Sequence, residues 1–91
     1  MGVMQYVVTM KRRIERRAAK MPKAEQWKLR YLIADLSEYG PVQKSWPNYS
    51  PLSKNEYHCH LSYHWVACWR HEEDTIEIEV YYAGSRENAP Y

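Results

Sequence analysis

The sequence predicts an α+β fold of two layers: a short N-terminal strand, a helical hairpin, and a three-stranded antiparallel meander packed on the helices. Three observations support it. Apolar residues recur at helical spacing within the first 40 positions, and residues 75–83 alternate as a strand with one buried face does. Gly and Pro separate these segments. The helices need an apolar surface to cover, which one face of the sheet supplies.

The N-terminal segment predicts a strand followed by a helix. Residues 5–9 are a weak strand candidate. Thr9 is a possible N-cap for a helix that runs to Lys20, with apolar residues at helical spacing. Pro22 then separates this helix from the next, because proline is tolerated in a first helical turn but not in a helix interior.

A second helix is predicted from about Lys23 to Tyr39. Its apolar stripe consists of Leu29, Leu32, Ile33 and Leu36. Gly40-Pro41 ends it, since glycine suits a helix C-terminus and proline cannot continue the helix. The short connection between the helices predicts an antiparallel hairpin.

The second half of the chain predicts the meander. Residues 42–55 contain two prolines, two asparagines and three serines and are interpreted as a loop. Residues 57–61 and 65–70 form a predicted hairpin, and residues 75–83 the last strand. Its expected buried face consists of Ile76, Ile78, Val80 and Tyr82.

The last eight residues are expected to form a tail. Gly84 is expected to break the strand, which would leave Arg86 and Tyr91 beyond its exit. Arg86 presents a charged fork suited to bidentate phosphate binding. The alternatives are an ion pair between Arg86 and a glutamate, and a C-terminal aromatic ring that merely packs on the sheet.

Charge is distributed unevenly along the 91 residues. Residues 1–31 hold nine lysines and arginines against two glutamates, a net +7, whereas residues 32–91 hold four against nine acidic residues, a net −5. The basic half favours polyanionic partners, nucleic acid first, although a solvated helix face is the simpler alternative. The candidate RNA-binding residues are Lys11, Arg12, Arg13, Arg16, Arg17, Lys20 and Arg70.

Two histidines carry the clearest chemical signal. His58 and His60 are two residues apart on a predicted strand, so they point to one face while Cys59 points to the other. An imidazole titrates near neutral pH and is suited to proton transfer. The alternative is a pair of half-exposed strand histidines with no role.

Metal binding is a second interpretation of this region. Six potential zinc ligands lie within 14 residues: His58, Cys59, His60, His64, Cys68 and His71. Their spacing matches no finger or ribbon, and Cys59 should face away from its neighbouring histidines, so no metal site is predicted. The chain has no membrane-length apolar run or signal peptide, which predicts a cytoplasmic protein with reduced cysteines and no membrane partner.

Four motifs together resemble the C-terminal half of RelE-type toxins of bacterial and archaeal toxin–antitoxin systems. They are Tyr57-His-Cys-His-Leu61, Trp65-Val-Ala-Cys-Trp69, Ile76-Glu-Ile-Glu-Val80 and Gly84-Ser-Arg86 with the closing Tyr91. The first 40 residues match this family only in the order of their elements. The resemblance implies a single RelE-like domain over residues 1–91. It also implies a metal-independent endoribonuclease without cofactor that cleaves mRNA, often on the ribosome, until an antitoxin protein silences it.

By position, the resemblance implies a catalytic set. Arg86 and Tyr91 match the family's tail arginine and tyrosine, and His58 and His60 stand where the RelE toxin itself has lysines. The chain departs from the family at Val66, where a further arginine is expected. The phosphate-stabilising charge of that arginine is then either missing here or supplied by Arg70.

Two rival functions stay open at this point. A gyrase-inhibiting toxin of the related ParE type would share the fold but needs no proton-transfer groups. A non-catalytic RNA- or metal-binding module would retain the basic residues or the histidines without cleavage. Growth arrest on expression distinguishes toxins from the module, and loss of translation versus DNA damage distinguishes the two toxins.

Overall fold

The computed structural model describes residues 5–91, which form two helices and a five-stranded mixed sheet. The elements are β1 (Val7–Thr9), α1 (Arg12–Ala18), α2 (Lys23–Tyr39), β2 (Ser50–Pro51), β3 (Glu56–His60), β4 (Trp65–His71) and β5 (Glu77–Ser85). The predicted α+β architecture, with its strand, two helices and meander, is confirmed. None of the helices within residues 5–91 is long and apolar enough to cross a membrane.

The first helix is shorter than predicted. It begins after Lys11, whose backbone is extended and whose side chain makes no capping hydrogen bond, so Thr9 is not the N-cap. Thr9 instead belongs to β1, because its backbone pairs with Glu79 of β5. Only Ile14 and Ala18 of α1 are buried, which leaves the basic side chains of this helix exposed.

The second helix has the predicted bounds. Its buried positions include Leu29, Leu32 and Leu36 of the predicted stripe. The Gly40 N–H donates to the Leu36 carbonyl at 2.9 Å and ends the helix. Gly40 has a positive φ of 94°, and an added Cβ would lie 2.9 Å from the Tyr6 ring, so glycine is required here.

The five strands lie in the order β1-β5-β4-β3-β2. β1 is parallel to β5, and the other three pairings are antiparallel. The interpretation of residues 42–55 as a loop without a strand is wrong at Ser50–Pro51, which pairs with β3. Proline is compatible with this position because β2 is an edge strand. β1 covers only Glu77–Glu79 of β5, so the rest of that strand's outer edge lies beside α1.

A β-bulge changes the face that the end of β5 presents. Cys68 and Trp69 are neighbours on β4, but their partners on β5 are Tyr82 and Val80, so Tyr81 is an extra residue. Val80 packs under the helices, whereas Tyr82 lies in a second buried cluster on the other face. The prediction that the two share one face is wrong, because alternation fails at an inserted residue.

Two further expectations about the last strand are wrong. Gly84 does not break β5, which continues to Ser85. A Cβ at Gly84 would lie 3.0 Å from the Tyr82 hydroxyl and 3.1 Å from Cδ of Arg17, so glycine permits close packing here. Ile76 precedes β5 and is 59% exposed instead of buried.

Candidate active site

The face of the sheet turned away from the helices, called here the distal face, holds the candidate site. Two rows of cross-strand neighbours define it, His58–Cys68–Tyr82 and His60–Val66–Gly84. Val66, Cys68 and Tyr82 form a small buried cluster on which Ala89 of the tail packs. This cluster gives the polar groups around it a rigid apolar floor.

His58 and His60 lie side by side on the distal face, as strand alternation predicts. Their ring centroids are 5.9 Å apart, while Cys59 between them packs into the core under the helices. His58 is buried and His60 half-buried. The two imidazoles therefore differ in their access to a ligand, and His60 is the more accessible.

Ser50 of β2 orients His58. The Ser50 hydroxyl lies 3.1 Å from His58 Nδ1, and the Ser50 backbone carbonyl lies 3.4 Å from the same nitrogen. A carbonyl only accepts, so this contact favours a proton on Nδ1 and leaves Nε2 free to take one. Burial lowers the pKa of His58, and the hydrogen bond to the Ser50 backbone opposes part of that shift.

The pKa of His60 is also lowered, and its causes indicate what lies nearby. Burial contributes most, followed by the charges of His58 and Arg86. Arg86 is thus close enough to His60 to disfavour a positive charge on this imidazole. Both imidazoles are consequently neutral near pH 7, the form that accepts a proton.

The tail runs back across the distal face. The Tyr82 hydroxyl donates to the Ser85 carbonyl at 2.6 Å and fixes the chain as it leaves β5. Tyr91 then reaches β3, where its ring centroid lies 4.5 Å from that of His58. Burial raises the pKa of the Tyr91 phenol, which therefore keeps its proton at neutral pH.

Arg86 is held by the β3–β4 turn. Its backbone N–H donates to the His64 carbonyl at 2.8 Å, and its guanidinium carbon lies 5.2 Å from the centroid of the Tyr63 ring. Within residues 5–91 Arg86 forms no ion pair with a carboxylate. A positive charge without a carboxylate partner, beside two neutral imidazoles, can bind an anion.

Val66 and Arg70 lie at different places on β4. Val66 is fully buried between His60 and Gly84. Arg70 is four residues along the strand, roughly 13 Å away. It pairs with carboxylates of two neighbouring strands at 3.9 and 3.7 Å and lies over the Tyr81 ring at 4.2 Å. Arg70 thus does not occupy the position where the family's arginine is expected.

Part of the basic helix borders the distal face at the free edge of β5. A cleft of about 320 Å³ there is lined by four of the candidate RNA-binding residues, Lys11, Arg13, Arg17 and Arg70. Asn88 and Pro90 of the tail line it too, and the Arg17 guanidinium carbon lies 5.5 Å from the centroid of Tyr82. Three more candidates are exposed but do not line this cleft: Arg12, Arg16 and Lys20.

The cysteines contribute packing but no reactive group to this arrangement. Both are buried free thiols, and burial is the main cause that raises the pKa of Cys59 and of Cys68 to about 12. A thiol with such a pKa is protonated and unreactive at neutral pH. Among the described residues, no three His, Cys, Asp or Glu side chains are grouped to hold a metal ion.

The structure adds three residues that sequence reasoning missed. Ser50 contacts His58 only because β2 pairs with β3, and nothing in its proline-rich surroundings indicates that pairing. Tyr82 reaches the distal face only because of the bulge, which simple alternation cannot show. Tyr63 lies beside the Arg86 guanidinium, but in the sequence nothing distinguishes it from the other eight tyrosines.

The fold is that of RelE-type toxins, as the sequence motifs suggested. The chain is similar to RelE in the RelE–RelB complex of Pyrococcus horikoshii, with a TM-score of 0.75 and 18% identity over 94% of this chain and 100% of that one. It is similar to a chain of the E. coli DinJ–YafQ toxin–antitoxin complex, with a TM-score of 0.74 and 14% identity over 97% and 100% of the two chains.

A third neighbour is a double arginine mutant of the E. coli toxin RelE in its free state, with a TM-score of 0.71 and 14% identity over 94% of this chain and 88% of that one. No model of a protein family and no curated protein matches the sequence. At such identities the likeness establishes the fold, and the chemistry must be argued from this chain's own residues.

Proposed function

We propose that this protein is the toxin of a type II toxin–antitoxin pair and acts as a metal-independent endoribonuclease on mRNA. One observation carries the proposal: His58, His60, Arg86 and Tyr91 come from a strand and a tail that are distant in sequence, and they meet on one face of a RelE fold. Neither a gyrase binder nor a passive RNA-binding module requires neutral imidazoles beside an arginine without a carboxylate partner.

The proposed reaction is attack by a ribose 2′-hydroxyl on the adjacent phosphorus. His60 accepts the 2′-hydroxyl proton, since it is neutral at pH 7 and more accessible than His58. The phosphodiester charge raises the pKa of the nearby His58, which takes up a proton and gives it to the leaving 5′-oxygen. The 2′-oxygen–phosphorus bond forms as the bond from phosphorus to the 5′-oxygen breaks, leaving a 2′,3′-cyclic phosphate and a 5′-hydroxyl.

Arg86 and Tyr91 complete this site. Arg86 binds the phosphate and stabilises the charge that develops on its oxygens in the transition state. Tyr91, protonated at neutral pH and packed on His58, orients the 2′-hydroxyl or stacks on a base. The valine at position 66 leaves Arg86 to act without the second arginine expected there.

The cleft beside α1 supplies affinity for the RNA backbone. Lys11, Arg13, Arg17 and Arg70 line it, and it adjoins the tail that carries Tyr91. Contacts between such side chains and phosphates are independent of sequence, so this cleft positions RNA without choosing the cleavage site. Arg12, Arg16 and Lys20 lie outside it and extend the positive surface toward ribosomal RNA.

The proposed partners are a cognate antitoxin, mRNA and the ribosome, and the proposed location is the cytoplasm, where ribosomes translate mRNA. Two of the structural neighbours were solved as toxin–antitoxin complexes, RelE with RelB and YafQ with DinJ. This supports an antitoxin partner here, because this chain shares their fold over nearly its whole length.

The test compares His60→Ala and Arg86→Ala with wild type on free and ribosome-bound mRNA, followed by primer extension. Each substitution is expected to slow cleavage at least about 100-fold, as removal of a general base or a charge-stabilising group does. His71→Ala is the matched control, because this histidine belongs to β4 but bonds the Thr75 carbonyl away from the site.

Expression in cells supplies the second readout. Wild type is expected to stop growth through loss of translation, and the two site variants to permit growth. Wild-type cleavage by both variants would overturn the catalytic assignment. DNA damage without mRNA cleavage would indicate a gyrase-inhibiting toxin instead, and normal growth with wild type a non-toxic binding module.

A further inference from the structure

A second cleft shares Arg86 with the candidate active site, and neither His58 nor His60 lines it. It has a volume of about 550 Å³ and lies between the β3–β4 turn and the start of the tail. The lining residues are Tyr63, His64, Trp65, Ser85, Arg86 and Glu87. Arg86 therefore lines both the proposed phosphate site and this cleft.

Tyr63 presents a large aromatic side chain at the surface of this cleft, and the residue is 71% exposed. The ring has no place in either buried cluster, yet it is held from two sides. The Arg86 guanidinium carbon lies 5.2 Å from its centroid, and the His64 ring contacts it edge-on at 4.7 Å. An exposed ring that is fixed in place is a surface on which a nucleobase can stack.

The position of this ring relative to Arg86 is fixed by the backbone. The Arg86 N–H donates to the His64 carbonyl at 2.8 Å, which attaches the tail to the turn that carries Tyr63. A phosphate bound by Arg86 would place the base of an adjoining nucleotide next to the Tyr63 ring. In single-stranded RNA such a base is free to turn out of the stack and enter a cleft.

Glu87 gives the cleft a chemical preference. Its carboxylate lines the same space and only accepts hydrogen bonds. Adenine, cytosine and guanine each carry an exocyclic amino group that donates to such an acceptor. Uracil has no exocyclic amino group. Its one N–H on this edge lies between two carbonyl oxygens, and a carboxylate repels these oxygens.

We propose that this cleft binds the nucleobase that flanks the scissile phosphate, with Tyr63 stacking on the base and Glu87 selecting bases with an amino group over uracil. The inference rests on the proposed function in that the phosphate at Arg86 is taken as the one that is cleaved. It extends that function by assigning a sequence preference to residues that take no part in the bond-breaking step.

The experiment measures binding before cleavage. Full-length protein is titrated with short single-stranded RNAs that carry a 2′-O-methyl group at the scissile position, so cleavage cannot occur, and with each of the four bases next to it. Tyr63→Ala is expected to weaken binding about 5- to 150-fold, the equivalent of the ~1–3 kcal/mol that a stacked base contributes. Tyr63→Phe should retain wild-type binding, because the ring and not the hydroxyl stacks.

Glu87→Gln is expected to reduce the preference for amino bases over uracil, since an amide presents a donor as well as an acceptor. Tyr39→Ala is the matched control, because Tyr39 is 68% exposed and lies at the end of α2. Equal affinity of wild type and Tyr63→Ala for all four RNAs would overturn the inference even if cleavage is observed. Base-dependent binding that Tyr63→Ala abolishes would support it even if the corresponding RNA without the 2′-O-methyl group is never cut.

Discussion

Protonation of His58 should make the protein less stable in mild acid. This histidine is only 9% exposed, and burial lowers its pKa. Above about pH 6.5 the imidazole is neutral in both the folded and the unfolded chain, so it contributes no pH dependence. Below that pH the unfolded chain binds a proton that the folded chain does not, and the free energy of unfolding falls until the pH passes the folded pKa.

The magnitude follows from linkage. One histidine that is neutral in the folded state and protonated in the unfolded state costs about 1.4 kcal/mol per pH unit. His60 has the same direction of shift and adds to this, but it is less buried and its share is smaller. For each pH unit below 6.5, His58 is therefore expected to lower the urea midpoint by at most roughly 1 M for a domain of this size.

The measurement is urea unfolding by tryptophan fluorescence at several pH values between 5 and 7.5. His58→Gln should flatten the dependence of unfolding free energy on pH, whatever it does to stability at pH 7.5. His64→Gln, at an exposed position of the β3–β4 turn, is the control and should keep the wild-type slope. Identical slopes for wild type and His58→Gln would refute the claim that burial keeps this histidine neutral.

Three further outcomes are expected. First, the rate of mRNA cleavage should rise with pH along an acid limb whose midpoint lies below 6.5, because His60, the proposed general base, has a lowered pKa and accepts a proton only when it is neutral; a midpoint above 6.5 in the free enzyme's pH–rate profile would contradict this. Second, Arg17→Ala should weaken RNA binding and reduce its salt dependence by about one counterion, whereas Arg12→Ala, outside the cleft, should do less; equal effects in a salt titration would show that the cleft is not the contact. Third, Gly84→Ala should lower the free energy of unfolding by about 1–3 kcal/mol in urea, since the new methyl group meets Tyr82 and Arg17; unchanged stability would mean that these side chains move aside at no cost.

Much of the fold was predictable because local signals dominate it. The stripe of leucines and the C-cap glycine Gly40 predict the bounds of α2. The sequence pattern also places β3, β4 and β5 within about two residues of their observed bounds. The two-residue strand Ser50–Pro51 was not predictable, because its only support is a partner strand elsewhere in the chain. The face of Tyr82 depends on the bulge, which a fixed period of two cannot anticipate.

The candidate site likewise has one part that was predictable from the sequence and one part that was not. That His58 and His60 share a face follows from their spacing, so the sequence suffices for that pair. The approach of Tyr91 to His58 depends on the path of the tail over an apolar floor, and the orientation of His58 depends on Ser50. Both are tertiary contacts between segments that carry no local signal for one another. The roles of His58, His60, Arg86, Tyr91 and the basic residues are predictions that the experiments above test.

The extra residue at Tyr81 has a consequence for how this chain can change. Up to Val80, even-numbered residues of β5 point toward the helices, but after the bulge odd-numbered ones do, beginning with Ala83. Loss of the extra residue itself would keep these faces, because Val80 and Tyr82 would become ordinary neighbours opposite Trp69 and Cys68. Loss of one residue after Tyr82 would instead reverse the faces of all the residues that follow and aim the tail at the core side. Substitutions in β5 therefore act one position at a time, whereas a single-codon deletion beyond the bulge would exchange the distal and core faces of the rest of the strand. The length of this strand is under stricter constraint than its composition.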